Sequence, residues 1–215
     1  LGNIVKARVL FFAPQNALSG ENILLMNQLG FRQTKNHPWE SIWMDLSIES
    51  NLLRKNLDGK WRNMLNFSEK AGLEPIFGTD QKIFDWLMEE HERDMAEKKF
   101  SGISVNLLSN LRSRGLNNSN LIVHKVSKDE EPIAGICIAV HGIAATYLVG
   151  WNGKQGRALK ANQFLLWNAI EELKKRGVKH FDLGGINSDD TPSITAFKLG
   201  LSGEPYELVG EYIKW

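Results

Sequence analysis

The sequence predicts an α/β (α+β) protein, and three observations carry that class. Apolar runs of strand length alternate with amphipathic stretches of helix length along the whole chain. The runs "NLIVHKVS", "EPIAGICIAV" and "IAATYLVGWN" are separated only by turn signals at Lys128–Glu131 and His141-Gly142, so they read as an antiparallel meander. Two helical patterns come before that meander and a long one after it. With 215 residues, 42% of them apolar and 24% charged, the chain can hold one large domain or two modest ones around a real core.

Taken in order, "KARVLFFAP" (Lys6–Pro14) reads as a buried strand. "SGENILLMNQLGF" reads as a short helix with Ser19 as N-cap and Gly30 at the C′ position. "WESIWMDLS" alternates as a strand does. Residues 50–72 form a basic helical stretch interrupted near Asp58-Gly59 and closed by Gly72. "LEPIF" is a short strand, and "DQKIFDWLMEEHERDMAEKK" is a helix with Phe84, Leu87, Met88, His91 and Met95 on one face. "ISVNLLSNLRSRG" is a further helix, ending at Gly115. After the meander, a helix from about Arg157 to Arg176 carries Leu159, Leu166, Ile170 and Leu173 on one stripe and stops at Gly177. Lys174 falls on its solvated side. "VKHFDLGG" is a strand, Ser193–Leu199 a short helix and "PYELVGEYIKW" the last strand.

The first 47 residues therefore read strand, helix, strand, too few elements to bury a core. Phe11, Phe12, Leu24, Leu25 and Trp43 are expected to dock on the main domain or on another copy of the chain, which would make a homo-oligomer through residues 1–47. A weak internal echo links the two ends: strand, helix ending in Leu-Gly-Phe, strand at the start, and strand, helix ending in Leu-Gly-Leu, strand at the close.

Composition excludes several classes. The formal net charge of +1 gives no global attraction to nucleic acid or to a membrane. Cys137 is the only cysteine, so an internal disulfide and a cysteine-built zinc site are both excluded. No apolar run reaches the roughly 18 residues of a spanning helix. No His-x-His or Glu-x-x-His spacing supports a metal. His91 and Cys137 read as packed residues. "GWNGKQGRALKAN" places Gly153, Lys154, Gly156 and Arg157 where a glycine-bearing loop opens a helix, and free N–H groups there favour an anion.

From Leu73 onward the order of elements resembles the acyltransferase fold of the GNAT superfamily, a mixed central sheet flanked by helices. The segments "GKWRNMLNFSEKAGLEP", "ALKANQFLLWNAIEELKKRGVKHFDLGGI" and "AFKLGLSGEPYELVGEY" resemble the FemAB family of aminoacyl-tRNA-dependent peptidoglycan transferases. Members of that family carry two GNAT-type subdomains. The resemblance implies that residues 1–49 are the C-terminal remnant of a first subdomain and residues 50–215 a complete second one. It implies an enzyme that moves an amino acid from aminoacyl-tRNA to the peptide of a peptidoglycan precursor, without a cofactor. DNA is not an expected partner. The implied location is the cytoplasm, with the inner face of the membrane as one place of work. The alternatives are a GNAT-type N-acyltransferase with acyl-CoA as co-substrate, and a non-catalytic fragment or binding module.

The same resemblance assigns site residues. Two central parallel strands should splay apart between "TYLVGWN" and "HFDLGG", with Gly150, Gly184 and Gly185 keeping the notch open for the acyl donor. Asp182 closes the second strand and orients the notch or takes part in catalysis. Phe197 and Lys198 match a family pair beside the tRNA acceptor end, with Lys198 exposed and facing phosphate. Lys60, Arg62 and Lys70 would border the precursor groove. The loop "KQGRA" approximates the coenzyme A pyrophosphate pattern but is one residue short.

Overall fold

The computed structural model describes residues 9–36, 38–114 and 120–215. The start of the expected Lys6–Pro14 strand and the Gly115 helix stop lie outside the described residues.

Capping and turn residues set most of the boundaries. β1 (Leu10–Phe12) precedes α1 (Gly20–Gln28), whose N-cap Ser19 accepts the Asn22 N–H at 3.1 Å and whose exit turns through Gly30 at φ +78°. β2 (Arg32–Gln33) and β3 (Glu40–Asp45) follow. The basic stretch divides into α2 (Ser50–Asn56) and α3 (Gly59–Glu69) because Asp58 caps the second helix, accepting from the Lys60 and Trp61 N–H groups. β4 (Glu74–Gly78) leads to α4 (Gln81–Lys98), capped by Asp80, and then to α5 (Val105–Arg114).

β5 (Leu121–Lys128), β6 (Glu131–His141) and β7 (Ala144–Asn152) form the expected meander. Asp129 and Glu130 join the first pair at φ 52° and 66°, the geometry a two-residue hairpin needs. The helix expected from about Arg157 is instead two helices, α6 (Lys154–Ala158) and α7 (Ala161–Lys175), because Lys160 turns through φ +58° between them. β8 (His180–Asp182), α8 (Pro192–Leu199), β9 (Glu204–Glu207) and β10 (Tyr212–Lys214) complete the chain. The single last strand expected over residues 205–215 is thus divided, with Gly210 at φ +96° in the break.

Seven strands form one mixed sheet in the order β4-β5-β6-β7-β8-β3-β9, antiparallel throughout except for the parallel pair β7 and β8. One face is covered by α2, α3 and α7 through Leu53, Trp61, Leu65, Leu165, Leu166 and Ile170. The other is covered by α4 and α5 through Phe84, Leu87, Met88 and Leu108 over Val123, Cys137 and Val149. Each such large apolar side chain, once fully buried, stabilises the fold by about 1.5–3 kcal/mol. Lys174, expected in solvent, instead donates from Nζ to Leu46 O at 2.6 Å and to Ile48 O, tying α7 to the end of β3.

The N-terminal segment divides its loyalties. β3 lies inside the large sheet, between β8 and β9, and its Trp43 ring stacks on His180 at 5.4 Å. β1 and β2 pair with β10 in a separate three-stranded sheet. Of the two docking places expected for Phe11, Phe12, Leu24 and Leu25, the main domain is not one: Phe11 is 71% exposed in the single chain and the other three are exposed as well. Among the described residues, three short strands and one helix enclose only Met26, Val209 and Tyr212 with Ile23 and Phe31 against them.

Candidate active site

The parallel pair is short. β7 and β8 pair only at Ala144↔His180, Ala145↔Phe181 and Thr146↔Asp182, and then part. Each strand is held by its other neighbour. β7 continues along β6 to Asn152, while the chain after β8 follows β3, with the Leu183 N–H on Ile42 O and the Ile186 N–H on Glu40 O, both at 2.9 Å. The ladder therefore ends after Thr146 and Asp182, with the Tyr147 carbonyl and Gly184 still against each other and the strands parting beyond them. β7 is also bulged here: Val149 faces Cys137 and Tyr147 faces Ile138, leaving Leu148 as the extra residue. A bulged residue leaves its backbone groups out of the ladder, next to the gap.

Gly184 and Gly185 occupy the other wall. Gly184 sits at φ +74°, and a Cβ on it would lie 2.5 Å from Tyr147 O. A Cβ on Gly185 would lie 2.6 Å from the Trp39 ring. At Gly184 the obstacle is fixed backbone, whereas at Gly185 it is the outer edge of an exposed tryptophan ring, which can shift. Gly150 meets the same test, since a Cβ there would run into the Tyr147 hydroxyl.

Lys198 is in the wall rather than in solvent. It is 7% exposed, and its Nζ donates to Gly185 O at 2.7 Å and stands over the Tyr147 ring, 5.6 Å from the centroid. The expectation of an exposed lysine is corrected: α8 starts at Pro192 and lays this face of the helix directly on the Gly184-Gly185 turn. Burial lowers its pKa to about 8, against the opposing pull of the Asp182 charge. Burial also pushes the Tyr147 phenol well above its ordinary value.

Asp182 is committed to hydrogen bonds through both oxygens. Oδ1 accepts from the Ser41 hydroxyl and from the Gly184 N–H at 2.8 Å, and Oδ2 accepts from the Tyr206 hydroxyl at 2.9 Å. Burial, followed by the bond to Asp182, raises the Tyr206 pKa to about 12. A carboxylate so occupied orients the turn. Phe197 lies outside this cluster, its ring 6.0 Å from that of Trp61.

The remaining assigned residues lie elsewhere. At the end of β7, the Gly153 N–H bonds Ile133 O at 2.9 Å, and a Cβ on Gly156 would run into that same oxygen. Arg157 donates to Asn152 O, closing the loop, while Lys154 is exposed. Lys60 lines an open groove of about 500 Å³ with Asn63, Met64, Phe67, Ala158 and Lys160. Arg62 is turned the other way and holds Lys55 O at 2.7 Å, the carbonyl end of α2. His91 is buried with Nε2 on Ile103 O, and burial pushes the Cys137 thiol up to about 12, so both are packing residues. Among the described residues no group of His, Cys, Asp and Glu is arranged to hold a metal.

Sequence reasoning missed Ser41, Tyr147 and Tyr206, and it did not place Trp39 at the notch. Tyr147 had a usable signal, since it stands in the strand whose far end carries Gly150. Ser41 and Tyr206 had none, because each meets Asp182 only through the neighbouring strands β3 and β9.

Among solved structures the fold is similar to that of FemX, with a TM-score of 0.81 at 13% identity over 97% of this chain and 72% of that one. It is also similar to the C-terminal domain of a protein described as a putative lysylphosphatidylglycerol synthetase from Agrobacterium fabrum, with a TM-score of 0.67 at 16% identity over 95% of this chain and 67% of that one. A tandem GNAT protein from the clavulanic acid biosynthesis pathway gives 0.57 at 12% identity over 95% and 63%. Comparison with curated proteins gives no match. The sequence profile of the acetyltransferase (GNAT) domain matches residues 53–198, from α2 through Lys198, so the chain belongs to the GNAT family and is an acyltransferase.

Proposed function

We propose that the notch between β7 and β8 transfers an aminoacyl group from aminoacyl-tRNA to an amine of a cell-wall precursor peptide. The observation that carries this reading is the buried Lys198, held against Gly185 O on the wall of a gap whose opposite strand is bulged at Leu148. An ester donor is already activated, so the reaction asks for placement and charge stabilisation more than for a strong base. The neutral acceptor nitrogen attacks the ester carbonyl carbon. The tetrahedral intermediate collapses with loss of the ribose oxygen, and the proton from nitrogen ends on that oxygen. With a pKa of about 8, Lys198 is mostly charged at neutral pH and counters the negative charge of the donor end and of the intermediate. Backbone N–H groups freed by the bulge supply a second set of donors to the oxyanion. The similarity to the fold of FemX supports this choice of donor and acceptor.

Membership of the GNAT family favours a second reading on the same site, with acyl-CoA as donor. One experiment separates the two: label transfer by the full chain from bulk charged tRNA to a precursor peptide, run beside acetyl-CoA with the same acceptor. Product from charged tRNA alone supports the proposal. Product from acetyl-CoA alone replaces it with the second reading.

A further inference from the structure

We propose that the cavity between α4 and α5 is a second binding site, made for a phosphate group carried on a small molecule. It lies under the other face of the sheet, beside Thr79 just after β4. Its volume is about 530 Å³, and Gln81, Phe84, Ser109, Asn110, Arg112 and Ser113 line it. That is the size range of small-molecule sites rather than of a single ion or water.

Arg112 is the reason to expect a ligand. It is 6% exposed, and a guanidinium charge taken out of water needs an answer. Nε donates to Gln81 Oε1 at 3.0 Å, Nη2 to Thr79 O, and the guanidinium lies 4.8 Å from the centre of the Phe84 ring. These contacts fix the fork without neutralising it. Among the described residues Arg112 has no carboxylate partner, and Nη1 is buried with no hydrogen-bond partner at all. The nearest carboxylate in the network, Asp85, is engaged by the far end of Gln81 at 2.7 Å. Several neutral buried groups of this chain also lack partners, among them Trp61 Nε1 and the Tyr212 hydroxyl, but Nη1 belongs to a charged group, for which a missing partner costs most.

The rest of the lining fits the same ligand. Ser109, Arg112 and Ser113 share one face of α5 by their three- and four-residue spacing. Ser109 and Ser113 bring hydroxyls and Asn110 and Gln81 bring amides, while no acidic side chain lines the cavity to repel an anion. Among the described residues the Ser113 hydroxyl bonds only Asn110 O, at 3.2 Å. Several neutral donors around one guanidinium suit the three outer oxygens of a phosphate better than the two of a carboxylate.

The test uses the full chain with inorganic phosphate at constant ionic strength, followed by calorimetry and by the melting temperature. Phosphate is expected to bind saturably and to raise the melting temperature. The double variant Ser109→Ala/Ser113→Ala, altered only at exposed side chains, should keep the fold and weaken binding at least about fivefold. Arg112→Gln should abolish binding. If that variant does not fold, the serine variant alone decides. A rise that is linear in phosphate and equal in the serine variant is a solvent effect and overturns the proposal. Acetate binding as tightly as phosphate overturns the choice of ligand. Saturable binding kept by the serine variant and lost in Lys198→Met puts the ion in the notch and overturns the site.

Discussion

At the end of β8, the turn Asp182–Gly185 is held by side chains from distant parts of the chain: Ser41 and Tyr206 on the carboxylate, Lys198 on a carbonyl, Trp39 over a glycine. At the end of β7, the turn Trp151–Gly156 is held by its immediate surroundings, through the Gly153 N–H and the Gly156 backbone against Ile133 O and Arg157 against Asn152 O. Both turns are glycine-bearing, and both stand at the edge of the same strand gap. In the first, glycine makes room for a charged side chain and for an opening. In the second, it lets a five-residue helix lie on a neighbouring strand. A glycine-rich stretch therefore signals close backbone approach, and what approaches decides whether it belongs to a site.

Alanine at each turn sharpens the contrast most. Gly184→Ala combines a left-handed backbone with a Cβ 2.5 Å from Tyr147 O. It is expected to cost more than about 2 kcal/mol of stability and to abolish transfer. Gly156→Ala drives its Cβ against Ile133 O and should also cost about 1–3 kcal/mol. Transfer per folded molecule should survive there. Denaturant melts beside turnover normalised to folded protein separate the two, and equal loss of turnover in both variants would erase the distinction.

The pH dependence of stability is the next largest effect. Burial lowers the Lys198 pKa to about 8 from the ordinary 10.5. Between those values the unfolded chain binds the proton that the folded chain has released, so stability rises with pH. Below about 8 both states are protonated and this group contributes no slope. The Cys137 thiol above about 9 and the Tyr206 hydroxyl above about 10, each raised to about 12, act in the opposite sense, because the unfolded chain then loses a proton that the folded chain keeps. They do so in wild type and in Lys198→Met alike, so the Lys198 contribution is read as the difference between the two curves. Between pH 8 and 10 the wild type should gain up to about 2–3 kcal/mol from Lys198, since each pH unit in that window contributes about 1.36 kcal/mol. Lys198→Met should lack that rise. Urea midpoints at half-unit steps of pH read it directly, and parallel curves for the two proteins would contradict the burial of this lysine.

A smaller effect is expected at Tyr206→Phe, which leaves Asp182 Oδ2 without its 2.9 Å partner. A hydrogen bond to a charged group contributes about 1.5–3 kcal/mol, and partial access of water should bring the loss toward the lower figure. Turnover should fall with it, because Asp182 then holds the Gly184 N–H less firmly. The smallest effect is expected at Lys154→Ala on the other turn. Lys154 is exposed, so stability should not change, and any loss of donor affinity should stay within about threefold and fade as salt is added.

Much of this frame was readable from local signals. The meander followed from three strand runs with turns between them, whereas the β7–β8 parting was implied by the family resemblance and by no local signal. Residues whose role depends on a distant strand were not readable. Lys198 sits in a short helix one position after a phenylalanine, and no periodicity over eight residues reveals that the Gly185 carbonyl lies beneath it. Lys174 looked solvated for the same reason, since its partners Leu46 and Ile48 are far away in sequence. The division of the last strand between two sheets depends on β1 and β2 pairing with the two edges of β10, which a local pattern cannot express.

The most direct test compares label transfer from charged tRNA to a precursor peptide by wild type and by Lys198→Met at pH 7, with circular dichroism to confirm that both are folded. A side chain that counters charge in the notch should cost about ten- to a hundredfold in transfer when lost, the equivalent of about 1.4–2.8 kcal/mol. Lys154→Ala should stay within about threefold in the same assay. Folded Lys198→Met that transfers at the wild-type rate would contradict the assignment of the β7–β8 notch as the site of acyl transfer.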